Sequence, residues 1–129
     1  MSAIIQAFDA VRDMVLAAQS TYRRVEMGAL PAVDGLCMAI SAGTPEHTAL
    51  DLRGDLSLDI VCNAKHQLQE AALDALAEIH RTLTTAAALP SGTGWQVLSI
   101  STSGAPCYLG REEKQWLYGS ALNVKLSIE

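Results

Sequence analysis

The sequence predicts an α+β fold. A single domain runs in the order α-β-β-α-β-β, with a four-stranded antiparallel sheet and two helices packed on one face. Three observations predict it. Two segments carry apolar residues at helical spacing, residues 50–62 alternate almost strictly, and the last eight residues alternate again. The strands fall into two hairpin-like pairs, each preceded by a helix, which favours one antiparallel sheet. A doubly wound α/β sheet needs strands and helices to alternate singly.

Ile4, Ile5, Phe8, Val11, Val15 and Leu16 form the stripe of the first helix, from about Ser2 to Gln19, with Asp9, Arg12 and Asp13 on its wet side and Ser2 placed to cap it. TYRRVEMGALPAVDG has no sustained period and is broken by Gly28, Pro31 and Gly35, so it reads as an extended connection. LCMAISAG, residues 36–43, reads as a strand that ends in a Gly-Thr-Pro turn. In the next strand Leu52, Leu56, Leu58, Ile60 and Cys62 share one face, and Asp51, Arg53, Asp55, Ser57 and Asp59 the other. Residues 65–87 form the second helix, with Leu68, Ala72, Leu76, Ile79 and Leu83 as its stripe and PSGTG as its stop. WQVLSIST is the third strand. SGAPC interrupts it, and LGREEKQ reads as a polar turn. The fourth strand sets Leu122, Val124, Leu126 and Ile128 against Ala121, Asn123, Lys125 and Ser127.

A chain of 129 residues is long enough to bury a core without a disulfide or a metal. A net charge of −5 does not fit a nucleic-acid binder. Cys37, Cys62 and Cys107 are odd in number and show no CxxC spacing, so a reducing compartment fits better than a disulfide framework. The N-terminus lacks a basic leader, and no apolar run reaches the ~20 residues that span a bilayer. Synthesis in a cytoplasm, with no membrane insertion, is the expectation.

Asp51, Asp55 and Asp59 raise the question of a metal or catalytic site. A strand rises ~3.3 Å per residue, so Asp55 and Asp59 stand roughly 13 Å apart. Carboxylate oxygens around one Ca²⁺ lie within about 2.6 Å of the ion. One straight strand therefore makes these acids a solvated face. Cys62, His66 and Glu70 have workable zinc spacing across a strand-to-helix junction, but His47 and His80 do not complete a set. Cys62 has the parity of a core residue. SGTGW follows a helix and precedes a strand, the reverse of a phosphate loop, and no GxSxG elbow occurs. No catalytic residue, cofactor or metal is expected. Arg23 and Arg24, beside Tyr22, either complement the first helix dipole or meet a partner. Trp116 and Tyr118 share the core parity of the last strand, and they either pack there or anchor an interface.

VEMGALPAVDGLCMAI, the acidic alternating strand, the Ala-rich helix, PSGTGW, the Gly-Ala-Pro segment before Leu109-Gly110-Arg111-Glu112-Glu113, and WLYGSALNVKLSI together resemble a family of bacteriophage proteins. These are minor capsid or tail-completion proteins of siphophages and prophages, similar to tail terminators. The resemblance covers nearly the whole chain and transfers no functional residue. It implies a non-enzymatic virion protein at the head-proximal end of a tail. It also implies a homo-oligomeric ring, hexameric by analogy, that contacts a tail tube protein and a head connector protein and lets DNA pass without specific binding. In such a ring Asp51, Asp55 and Asp59 would line the lumen and repel phosphates. Two further readings stand beside it: a small ligand-binding regulatory α+β module, and an enzyme whose site is assembled from distant residues.

Overall fold

In a computed structural model the chain is described over residues 3–18, 25–28, 34–48 and 54–129. Its elements are α1 (Ala3–Ala18), β1 (Val25–Met27), β2 (Leu36–Thr48), β3 (Gly54–His66), α2 (Gln69–Thr84), β4 (Ser91–Gly92), β5 (Trp95–Glu112) and β6 (Gln115–Ile128). The expected four-stranded antiparallel sheet is corrected by this arrangement. Six strands form one mixed sheet in the order β1-β2-β3-β6-β5-β4, curled like half a barrel. β1 runs parallel to β2, and the other neighbours are antiparallel.

Pairing overrides local signals in the places that differ. β1 and β4 are three and two residues long, too short for a periodic pattern, and they exist because a neighbouring strand offers unpaired amides. β2 continues through Gly43, Thr44 and Pro45 to Thr48, absorbing the expected turn as a register shift between Pro45 and His47. β5 and β6 form one long hairpin. Its strand passes through the SGAPC and LGRE segments with shifts at Thr102/Gly104, Gly104/Cys107 and Tyr108/Gly110. Bulges let a strand carry such residues by bending instead of stopping. The hairpin closes over Glu113 and Lys114, with Glu113 in the left-handed region at φ 51°.

The core lies between one face of the sheet and both helices. Leu56, Leu58, Ile60, Cys62 and Ala64 of β3 point into it, as do Tyr118, Leu122, Val124 and Leu126 of β6. α2 lies across β3, β5 and β6. It starts without a side-chain cap: the Leu68 amide instead donates to Nδ1 of His66, 2.9 Å away. Burial of Ala72, Ala75, Leu76, Ile79 and Leu83 holds the helix on the sheet, the alanines permitting close approach.

α1 touches α2 and both margins of the sheet. Nε of Arg12 donates to the Val25 carbonyl in β1 (2.9 Å), and the Trp95 indole in β5 donates to Oε1 of Gln6 (3.0 Å). Four strand spacings separate β1 from β5, about 19 Å in a flat sheet. Gln6 and Arg12 are only about 9 Å apart along the helix axis. The helix can hold both strands because the sheet curls toward it.

Candidate functional surface

The sheet face away from the helices has two characters. Toward the Gly54 end of β3 it is polar. Asp55, Ser57 and Asp59 are half-buried, and the Asn123 amide donates to Oγ of Ser57 (2.7 Å) and to Oδ1 of Asp59 (3.1 Å). The Ser41 hydroxyl reaches the Asp59 carbonyl at 3.3 Å. Asp55 pairs in register with Ser127, and Asp59 with Asn123, so the two acids lie in separate cross-strand pairs. Asp51 lies outside the described residues. Among those described, no three His, Cys, Asp or Glu residues gather as a metal would need.

Higher on the same face the surface becomes apolar. Val61, Asn63, Gly104, Ala105, Cys107, Leu109, Gly119, Ser120 and Ala121 line an open notch of about 260 Å³, with Asn63 Oδ1 beside Gly119. Its depth comes from small residues set side by side: Gly104 pairs with Ala121, and Cys107 with Gly119. The Leu109 side chain leans over Gly119, where a methyl group would fall 2.7 Å from it.

The opposite face of the same hairpin carries an aromatic cluster. Tyr108 meets Trp116 and Tyr118 edge-on, with ring centroids 5.8 and 5.9 Å apart. The Arg111 guanidinium lies 4.6 Å above the Trp116 ring, a cation–π geometry. Tyr118 is buried, its hydroxyl accepting from Nε2 of Gln69 at 2.6 Å. Trp116 is half-buried against the core, and Tyr108 is 54% exposed. On the notch side Glu112 reaches back to Nζ of Lys65 at 2.9 Å and ties the hairpin end to β3. Arg23 and Arg24 lie outside the described residues.

From Ser101 onward almost every β5 side chain is exposed, because among the described residues only β6 flanks this part of the strand. Tyr108, Leu109, Arg111 and the notch glycines were not singled out in the sequence, because a strand wet on both faces shows no alternation. Gly104, Gly110 and Gly119 at intervals along two paired strands were the one available signal. The sequence matches no known family model and no curated protein.

Three buried groups complete the inventory of reactive side chains. Burial pushes the Cys62 thiol up to about 12, with the neighbouring Cys37 thiol adding to the shift. Burial raises Cys37 as well, against lowering hydrogen bonds from Asn63. His80, 7% exposed on the sheet side of α2, has Nδ1 2.8 Å from the Thr102 hydroxyl and no hydrogen-bond partner at Nε2. Burial lowers its pKa. His80 and Cys62 lie on different elements, and neither is grouped with Glu70 or His66 as a zinc set would require. No described helix is long and apolar enough to cross a membrane.

Proposed function

We propose that the chain is a structural assembly subunit, in the manner of a phage tail terminator. It would cap a tail tube, join it to a head connector and reside in the virion. The observation that supports this reading is the β5–β6 hairpin. Among the described residues its β5 strand is flanked only by β6 beyond Gln96, with Tyr108 and Leu109 each 54% exposed on opposite faces. Large exposed apolar side chains on a strand left uncovered along one side suit a surface made for contact. A ring of such subunits, taken as a hexamer, would turn one surface to the tube and carry Asp55 and Asp59, with Asp51, toward passing DNA.

The test is complementation. In the phage whose genome carries this gene, loss of the chain should leave tubes of uncontrolled length without heads, and added purified protein should restore joined particles. Normal particles without the protein would refute the reading. A metabolite that sharply raises the protein's melting temperature, with no effect on particles, would favour the regulatory module.

A further inference from the structure

Among the buried residues of α2, His80 alone is polar. It sits at the rim of the contact with β5. One turn away along the helix, Leu76 and Leu83 are buried, whereas Ala77 and Thr84 are exposed. Nδ1 of His80 lies 2.8 Å from the Thr102 hydroxyl, and Nε2 is buried without a hydrogen-bond partner. The tautomer decides only which nitrogen carries the hydrogen, so Nε2 is unsatisfied in either neutral form. A protonated ring is worse placed. Both its nitrogens donate, and its charge needs more than one hydroxyl to replace water. Thr102 can accept from Nδ1, but no described group accepts from Nε2.

No charged neighbour offsets that cost. On α2, Glu78 and Arg81 pair with each other at 2.6 Å, and Glu70 and Asp74 are exposed. On β5, Arg111 lies over Trp116 near the hairpin turn, and Glu112 reaches Lys65. Asp55, Asp59 and Lys65 of β3 and Lys125 of β6 have the parity of the opposite sheet face. On α1, Asp9 and Asp13 lie off the buried stripe of Ala7, Phe8, Val11 and Val15, and Arg12 bonds Val25. Of the uncharged titratable groups on the core face, Cys62 is on β3. Tyr108 and Tyr118 meet near Gln69, about three helical turns from His80. Burial is accordingly what acts on the ring, and it lowers the pKa.

The ring has a short way out. Beside Thr102 only β6 flanks β5 among the described residues, and the register shifts between Thr102 and Gly104. Ser101, Thr102 and Ser103 are all exposed. The thirteen-pair ladder of β3 and β6 has no register shift and includes neither His80 nor Thr102. An opening at this seam can therefore stay local.

We infer that the seam between α2 and β5 is an acid-operated latch. The neutral His80 ring closes it against Thr102, and the protonated ring swings past Thr102 into water and frees the Leu76–Thr84 half of α2. The inference is independent of the assembly reading. An open ring takes its proton near the ordinary value of 6.5, and the closed ring only at lower pH. The closed seam is thus fully held above about 6.5 and given up as pH falls through that value toward the closed one. Within that window each pH unit raises the open population up to about tenfold.

Amide hydrogen exchange at pH 7.5 and pH 5, corrected for the intrinsic pH dependence of exchange, reads the seam. In the wild type, amides of Leu76–Thr84 and Ile100–Thr102 should exchange about tenfold faster at pH 5, while those of the β3–β6 ladder stay within about twofold. His80→Asn places an amide where Nδ1 stood and takes no proton, so its seam should show no such gain. In wild type carrying 13C-labelled histidine, the ring signal assigned through its proximity to Thr102 should titrate below free histidine and in step with the seam amides.

A wild type without the gain overturns the inference. So does a gain spread evenly over α2 and the β3–β6 ladder, which is acid instability of the whole fold. An equal gain in His80→Asn shows that another group titrates and also overturns it. Should that variant not fold, the wild-type ring decides: a His80 signal that titrates like free histidine, or out of step with the seam amides, overturns the latch.

Discussion

Gly92→Ala should destabilise the protein through Trp95. A methyl group at Gly92 would fall 2.5 Å from Cε2 and Nε1 of the Trp95 ring and 2.7 Å from Cζ2. Carbon atoms in contact prefer 3.5–4.0 Å, so the overlap is about 1 Å. The indole has nowhere to retreat: Trp95 is 7% exposed, belongs to the core, and is held by its hydrogen bond to Gln6. Overpacking of this kind costs about 1–3 kcal/mol. A strained or lost indole bond adds about 1 kcal/mol. Reduced freedom of the unfolded chain returns about 0.4–1 kcal/mol. The balance is a loss of about 2 kcal/mol, or a fall in Tm of about 8 °C for a chain of this size. Gly104→Ala is the control. Its methyl group would sit 3.4 Å from the Ala121 Cβ, an ordinary contact, so stability should stay within about 0.5 kcal/mol. Urea denaturation followed by circular dichroism and tryptophan fluorescence measures both. Equal midpoints for the two variants would refute the claim that Trp95 is locked between Gly92 and α1.

His80 should make stability depend on pH in a definite direction. Its folded pKa is lowered by burial, so the unfolded chain binds the proton more readily. The neutral-ring contribution is complete above the unfolded value of about 6.5 and is lost as pH falls through it toward the folded pKa. In His80→Leu that loss should vanish, so the stability difference between wild type and variant should shift against the wild type from pH 7.5 to 5. A constant difference in urea midpoints across that range would contradict it. Thiol labelling should find one reactive cysteine in the native protein. Cys107 is exposed, whereas Cys37 and Cys62 are buried with raised pKa values. Iodoacetamide should add a single carbamidomethyl group before denaturation and three after it, with peptide mapping to identify the site.

Elements with a repeating pattern were legible in the sequence. α1 lies within a residue of each expected end, whereas α2 starts at Gln69, four residues later than expected, because Lys65 and His66 extend β3 in its ladder with β6. The parity of β3 placed Leu56, Leu58, Ile60 and Cys62 in the core and Asp55 and Asp59 opposite. Elements defined by a distant partner were not legible. β1 exists only beside Leu36–Met38, and β4 only beside Trp95 and Gln96. In β5, Gly104, Pro106 and Gly110 read as breaks because isolated residues of those types favour turns. The thirteen-pair ladder between β3 and β6 holds the neighbouring strand in place, and β5 follows β6 with bulges. The candidate surface was hidden for the same reason. Trp116 and Tyr118 were visible as aromatics, but the side chains that give them a setting, Tyr108 and Arg111, come from the strand whose pattern is irregular.

The strand order also constrains how the protein is made. β6 is the last of the six strands to leave the ribosome, yet it occupies the middle of the sheet, between β3 and β5. Until residues 115–128 are free, the strands fall into two halves, β1-β2-β3 and β5-β4, that share no ladder with each other. Neither half can take its final curvature, because α1 must reach Val25 on one side and Trp95 on the other. Insertion of β6 is therefore the step that joins the halves. A ribosome stalled before Gln115 would expose the β3 and β5 margins together, making that stage of synthesis the one most in need of a chaperone.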